Sequence, residues 1–535
     1  MKKLIAASLL GLLSFSTLFA QDKTKPNVLF IAVDDLKPLL GCYGNTLVKT
    51  PNIDRLAKMG TVFLNNYCQQ AVCGPTRASL LTGMRPDYTK IRDLKTKMRD
   101  MNPDIVTLPQ YFMSQGYTTS GVGKIFHPSC VDKKVDPQSW SVPFFFAKDS
   151  DYANGAPVKK HYQSPELKAL QVTEDAANND VKGKKKSNKE DLDEDGGSAR
   201  GPAFECLDLP DNAYEDGVSA LIAEKQIMKL SKENKPFFMA VGFHKPHLPF
   251  VSPKKYWDLY NREDMPVAEF QDHALNSQAF SYQYPGELTN YTGVKEFAKF
   301  DKNDNNEFKL AIDKQKELLH AYYAAVSYTD AQVGILLNTL EKLGTLKNTI
   351  IVLWGDHGWH LGDHDMWGKH TNYEQATKAP LIIAAPGLKP GQSKSMTEFV
   401  DIFPTLCELS GGKVPANLDG KSLVPVMKNN KVSVKEFAMS QYPRKMPKGD
   451  IKKEEGKGKL MGYSMRTEQY RYTVWMKNFT SDQPYSADKV YTLELYDYTN
   501  DPLEKVNVAY DKNYASVAAN LDKKMIDYFK SKVSK

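Results

Sequence analysis

The sequence predicts a large α/β domain built on a mostly parallel sheet, followed by a smaller α/β subdomain with an antiparallel sheet. Three observations carry this expectation. The chain has 535 residues, more than one ordinary domain holds. Short apolar, β-rich runs at 27–33, 236–242 and 349–355 alternate with helical stretches, as expected of strands buried on both faces. After about residue 415 the pattern changes to short alternating strands at 463–467, 470–475 and 493–497, closed by a helix from about 514 to 529.

Composition bounds the rest. At 41% hydrophobic and 25% charged, the chain is ordinary globular material. Its formal charge of +7 suits an anionic ligand without proving one. The first twenty residues differ: Lys2 and Lys3 precede an apolar run from Leu4 to Phe19 and then Ala20. That pattern is a secretory signal peptide, too short and wrongly flanked for a membrane span. No Cys follows it, which argues against a lipid anchor, and no other long apolar run occurs. We therefore expect a periplasmic or secreted protein with no transmembrane segment. Nucleic acid is excluded as a partner by export and by the lack of a binding motif. The six cysteines match no zinc site or disulfide framework.

In chain order, the strand at 27–33 ends in Asp34-Asp35. Two carboxylates at a strand end repel unless something positive sits between them, and such a pair with further oxygens suits Ca²⁺ or Mg²⁺. A helix N-cap followed by an exposed acid is the structural alternative. Ligands of open α/β sheets lie beyond the carboxyl ends of the strands, which favours the cation. A helix at 50–57 and a short strand at 61–63 lead to Cys73-Gly74-Pro75-Thr76-Arg77. Pro75 and the apolar run after it place Cys73 at a helix N-terminus, where orphan N–H groups favour negative charge, with Arg77 one turn on. A small buried cysteine before a core helix would fit equally well.

A helix begins near 107, and a strand at 117–122 ends in Gly123-Lys124-Ile125-Phe126-His127. Lys124 and His127 are either a solvated charge and a loop histidine or a pair of site residues. From about 151 to 202 blocks of mixed charge replace the apolar pattern, as in a mobile surface insertion without chemistry. A helix at 215–234 precedes the strand at 236–242, which delivers His244-Lys245-Pro246-His247. We assign proton transfer or anion binding to His244 and a supporting role to His247. A long amphipathic helix spans about 307 to 342, and the strand at 349–355 ends in Asp356-His357. Trp359, His360, His364 and His370 fit a pocket wall or core packing equally. A strand at 380–384 and a helix from about 400 complete the large domain. Four separate buried strands thus deliver acids, lysines or histidines at their carboxyl ends, where a purely structural pattern would scatter them over both.

The motif Cys73-x-Pro75-x-Arg77, followed by Thr82-Gly83, resembles the signature of type I sulfatases. The Asp34-Asp35 pair, Gly123-Lys124-x-x-His127 and Asp356 match further elements of that family, and the resemblance runs from Asn27 to the C-terminal strands. It implies an alkaline-phosphatase-like fold, a large mixed sheet sandwiched by helices, with a C-terminal subdomain. The domain limits become a signal peptide at 1–20, a catalytic domain at 21–414 and a subdomain at 415–535. It implies that a maturase oxidises Cys73 to formylglycine, whose hydrate attacks sulfur and forms a covalent sulfo-enzyme. Asp34, Asp35, Asp356 and His357 would hold Ca²⁺, ahead of Mg²⁺, and Arg77, Lys124 and Lys369 would meet the sulfate oxygens. His244 would protonate the leaving sugar oxygen and His127 would take the second hydroxyl's proton, although these two labels could be exchanged.

Most sulfatases carry Asn after the third Asp; His357 departs from this. With Phe243-His244-Lys245-Pro246-His247 and Lys369, it resembles the iduronate-2-sulfatase-like branch. The branch implies 2-O-sulfate hydrolysis at a non-reducing-end uronate in heparin, heparan, chondroitin or dermatan sulfate fragments. Choline sulfatase, arylsulfatase and a phosphate or phosphonate ester hydrolase share the fold. A glycan-binding protein that never matures Cys73 is the non-enzyme alternative.

Overall fold

The computed structural model describes residues 25–159, 161–170, 200–294, 298–301, 307–451, 458–477 and 486–533. The expected signal peptide and the charged stretch 171–199 lie outside the described residues. The main sheet has seven strands: β1 (Asn27–Val33), β2 (Thr61–Tyr67), β3 (Thr118–Gly123), β4 (Phe237–Phe243), β5 (Thr349–Gly355), β6 (Leu381–Ala384) and β7 (Gly391–Glu398). Their order is β7-β2-β6-β5-β1-β4-β3, and β6 alone runs against the others. This is the alkaline-phosphatase-like architecture, a mixed, mostly parallel sheet between helical layers.

The unbroken apolar character of β1 follows from its central place. Leu29, Ile31 and Val33 point into the core formed with Val326, Val333 and Leu337 of the long helix α3 (Ile312–Lys342). Val28, Phe30 and Ala32 point into the opposite core, with Leu80 and Leu81 of α1 (Cys73–Thr82) and Phe403 of α4 (Ile402–Leu409). Helix α2 (Glu215–Leu230) packs beside α3 through Ala220, Ala223 and Ile227. All ten residues of α1 are buried, so this helix belongs to the core and not to the surface.

The C-terminal sheet is antiparallel: β8 (Ala438–Lys445), β9 (Lys459–Arg466), β10 (Tyr470–Lys477) and β11 (Val490–Asp497), in that order. Helix α5 (Ala515–Val533) covers one face, with Leu521, Met525 and Phe529 against Met465, Tyr472 and Leu495. Strand β8 is absent from the sequence expectation because Ser440, Gln441, Pro443 and Arg444 break the apolar alternation. Pro is tolerated there because β8 is a sheet edge. That edge is covered: the Gln441 N–H donates to the Gln69 carbonyl at 2.8 Å and Ser440 Oγ to the Cys68 carbonyl at 2.6 Å. The subdomain therefore braces the segment that leads into Cys73.

Two further expectations are corrected. The helix expected from 307 starts at Ile312, because Glu307–Leu310 pairs as a strand with Ala298–Asp301. Phe308 is buried there, its N–H donating to Asp365 Oδ2 at 2.7 Å, and that tertiary contact outweighs local helix propensity. The near flank of the charged stretch is sewn to the body instead of standing off it. Tyr162 Oη donates to the Pro202 carbonyl at 2.7 Å, and the Gln163 amide reaches the Ala213 carbonyl at 2.6 Å. Hydrogen bonds, invisible to composition, supply what apolar residues there do not.

Candidate active site

Strand register assembles the site. Val33 of β1 pairs with Gly355 of β5 on one side and with Phe243 of β4 on the other. Gly123 of β3 pairs with Gly242 of β4. The next residues along, Asp34, Asp356, His244 and Lys124, therefore leave the sheet along one edge. Asp35 follows with φ of 56°, a left-handed conformation rare for a residue with a Cβ. Its N–H donates to Asp356 Oδ1 at 2.9 Å, and its carbonyl accepts from Tyr322 Oη of α3 at 2.8 Å. These contacts hold the strained turn and aim its carboxylate back at the other two. Carboxylate oxygens of Asp34, Asp35 and Asp356 come within 4.8 Å of one another.

Arg77 locks this cluster from below. Its Nη2 donates to Asp34 Oδ1 at 2.9 Å and its Nε to Asp356 Oδ2 at 3.0 Å, while Nη1 donates to the Lys124 and Ile125 carbonyls. Lys124 Nζ lies 2.8 Å from Asp34 Oδ2. Lys369 Nζ donates to both oxygens of Asp35, at 2.8 and 3.0 Å, and to Cys73 Sγ at 3.6 Å. Burial pushes the Asp34 carboxyl up, but Lys124 and Arg77 outweigh it and hold Asp34 well below the usual carboxylate range. Asp35 moves well above that range, because burial and the three acids Asp34, Asp356 and Glu287 outweigh Lys369. Burial and the charge of Asp34 push Asp356 up to about 6.

His357 completes the cluster. Its Nδ1–H donates to the Gly358 carbonyl at 2.9 Å, which leaves the Nε2 lone pair facing Asp35 Oδ1 at 3.4 Å and Asp356 Oδ1 at 3.6 Å. Three carboxylates lie together and the His357 lone pair faces two of them, so the cluster offers more electron-donor atoms than Arg77, Lys124 and Lys369 engage. The three carboxylates suit a hard divalent ion, for which an imidazole nitrogen is a less natural ligand than an oxygen, and the carbonyl-anchored imidazole is the usual arrangement of a histidine ligand.

Cys73 Sγ lies 3.4 Å from His357 Nε2, at the first residue of α1. Burial raises its thiol well above the ordinary cysteine value despite Lys369. The unmodified thiol is thus a poor nucleophile in this place. His127 is buried, with Nδ1 2.9 Å from Ser129 Oγ, and faces the same pocket.

The structure does not bring His244 to the reacting centre. Its Nε2 lies 3.5 Å from Glu215 Oε1, and its N–H is capped by Asp216 Oδ1 at the start of α2. His247, three residues on, occupies the site instead. Asp34, Cys73 and His247 offer ligand-type atoms within 4.8 Å of one another. The His247 Nδ1–H donates to the Leu248 carbonyl at 2.7 Å, and Nε2 faces Glu287 Oε1 at 3.2 Å. Asp216, by accepting from the His244 and Lys245 N–H groups, fixes the turn after β4 so that these histidines exchange the places expected for them. Glu287 itself was beyond sequence reasoning: it stands in a single helical turn, Gly286–Thr289, with no motif around it. His370 lines the pocket, whereas Trp359, His360 and His364 are buried. His360 is bound to Thr371 at 2.8 Å and to Asp363, and His364 to the Glu504 carbonyl at 3.0 Å.

These groups open into a pocket of about 1240 Å³. Its walls are the Cys73 segment, the 283–291 stretch and the hairpin of β8 and β9. Cations outnumber carboxylates among its described residues, seven lysines and arginines, Lys124, Lys369 and Arg444 among them, being set against Asp93 and Glu287. Fold and pocket together define a hydrolase of anionic esters.

Comparison with known proteins narrows that class. Residues 26–412 match the Sulfatase family, and residues 362–531 match the C-terminal region of N-sulphoglucosamine sulphohydrolase. The chain belongs to the sulfatase family and is a sulfuric ester hydrolase. It is 33% identical to human iduronate 2-sulfatase over 91% of each chain. It is 32% identical to a sulfatase of Formosa agariphila, over 92% of this chain and 84% of that protein. Among solved structures, a phosphonate monoester hydrolase of Agrobacterium radiobacter aligns with a TM-score of 0.65 and 23% identity, over 94% of this chain and 95% of that one. At that identity the last likeness concerns the fold alone.

Proposed function

We propose that this sulfatase is exported and removes the 2-O-sulfate of a non-reducing-end uronate, iduronate, glucuronate or unsaturated uronate, from glycosaminoglycan fragments. The observation that carries the reading is 33% identity to an iduronate 2-sulfatase over 91% of both chains, joined to a cation-rich pocket of about 1240 Å³. A pocket of that size holds more than one sugar ring. Formylglycine made from Cys73 by a maturase would supply, as its hydrate, an oxygen nucleophile; Asp34, Asp35, Asp356 and His357 would hold a Ca²⁺, which would supply the charge that lowers the pKa of that hydroxyl.

The chain's own residues do the rest. Arg77 fixes Asp34 and Asp356 in their binding positions and adds charge beneath the sulfate. Lys124 and Lys369 flank position 73 and neutralise the sulfate oxygens, which lets an anion enter beside three carboxylates. His247, with Glu287 facing its Nε2, donates the proton to the departing sugar oxygen, the Glu287 carboxylate supporting the imidazolium that burial and Lys369 disfavour; we transfer to it the role expected of His244. His127, steered by Ser129, takes the proton that frees sulfate.

The test is sulfate release from a 2-sulfated unsaturated uronate disaccharide against release from 4-nitrophenyl sulfate, with protein from a host that matures Cys73. We expect the disaccharide to be preferred by at least about a hundredfold in kcat/KM. Equal rates would sink the substrate assignment, and an intact thiol at Cys73 in that protein would sink the nucleophile. Chelation should abolish turnover and lower the melting temperature, since an ion that binds only the folded chain stabilises it.

A further inference from the structure

The buried guanidinium groups of this chain sit on carboxylates. Arg77 meets Asp34 and Asp356, Arg85 meets Glu398, Arg99 meets Asp136, and Arg471 meets Glu374 and Glu504. Arg444 of β8 differs. It is half-buried on the pocket wall and donates to four main-chain carbonyls, of Phe280 at 2.6 Å, Ser281 at 3.4 Å, Pro443 at 3.3 Å and His370. Among the described residues no carboxylate makes an ion pair with it, and Glu494 acts on it only through space. Its guanidinium lies 4.5 Å from the Tyr442 ring, which attracts the cation without neutralising it. Burial makes its charge costly, pushing the guanidinium down from its ordinary value.

The position matters as much as the charge. Arg444 grips the carbonyl of His370, the residue after Lys369, and lines the pocket that contains Cys73. Beside it, Lys445 and Lys459 face each other across the β8–β9 pair and line the same pocket. Both lysines add positive charge to this wall of the pocket. A partly desolvated cation with no carboxylate of its own, next to a pair of lysines at a pocket mouth, is the arrangement of an anion subsite.

We propose that Arg444, reinforced by Lys445, forms a second anion subsite that holds a carboxylate or further sulfate on the sugar substrate, apart from the sulfate under attack. The inference rests on the uronate reading above and deepens it: sulfate is held by Lys124 and Lys369, and the second anionic group by the C-terminal hairpin. The two groups together would set which ring enters and which way round. The hairpin thereby acquires a function beyond bracing the Cys73 segment.

The test is calorimetric binding to the full chain carrying Cys73→Ala, so that no turnover intervenes. The ligands are the 2-sulfated uronate disaccharide, its carboxyl-reduced counterpart, and the same pair with a 6-sulfate on the neighbouring sugar. Arg444→Gln should weaken the carboxylated disaccharide about 10- to 100-fold and leave the carboxyl-reduced one unchanged. A loss that instead follows the 6-sulfate would support the subsite and identify sulfate as its anion. Equal weakening of all four ligands, or of none, would overturn it and leave Arg444 a clamp on the His370 turn. Lys445→Gln, at an exposed position, should produce the same selectivity about two- to fivefold and guards against a misfolded Arg444 variant. Failure of the uronate reading is recognised separately, as absence of sulfate release from the 2-sulfated disaccharide by the mature enzyme.

Discussion

His244 and His247 arrive on the same turn, three residues apart, yet Glu215 and Asp216 retain the first while the second turns toward Asp35 and Cys73. Proximity decides which can transfer a proton, because a general acid must reach the atom it serves. His247→Ala should therefore cost about 10²- to 10⁴-fold in kcat on a poor leaving group such as a sugar, and much less on 4-nitrophenyl sulfate, whose leaving group needs no proton. His244→Ala should stay within about tenfold on both. A pair of pre-steady-state rates with the two substrates separates the variants. Matching losses for the two histidines would return the acid role to open question.

Elements meet the site through close backbone approach. Strands β3 and β4 are so near at their ends that a Cβ on Gly242 would lie 2.1 Å from the Lys124 carbonyl oxygen. That oxygen is an acceptor of Arg77 Nη1, so the glycine at 242 indirectly sets the guanidinium that orders the carboxylates. Gly242→Ala should cost about 1–3 kcal/mol in stability and lower kcat/KM together with cation affinity. Thermal melting and titration with Ca²⁺ check both. Unchanged cation affinity in a destabilised variant would uncouple the strand contact from the site.

At the scale of the whole molecule, a buried ionic cluster ties the end of β7 to the C-terminal subdomain. Glu398 accepts from Arg85 Nη2 at 2.7 Å, from Lys435 Nζ at 2.5 Å and from the Met439 N–H of β8 at 2.8 Å. Burial pushes its carboxyl up, but Arg85 and Lys435 overcome this and bring it from 4.5 down to about 2. A folded value below the unfolded one means the contribution is complete above about pH 4.5 and is lost as pH falls toward 2. Its size is on the order of 3 kcal/mol, opposed in part by Asp401, which burial pushes up beside it. Urea midpoints between pH 6 and 3 should fall more steeply for the native chain than for Glu398→Gln. Parallel slopes would mean that other carboxylates govern acid unfolding.

Sequence alone determined what depends on local pattern. The apolar runs marked the central strands because a strand buried on both faces has no polar side to show. Asp34, Asp35, Lys124 and Asp356 were legible because each directly follows or closely trails such a strand, and Cys73 because its motif is contiguous. Tertiary structure decided whatever depends on how separate segments meet. The order of β6 and β7, the covered edge β8, the exchange of His244 for His247 and the arrival of Glu287 and Arg444 at the pocket leave no periodic trace in the chain. The reason is physical: hydrogen bonds and charge pairing between residues far apart in sequence choose among turns and edges that local propensity leaves nearly equal.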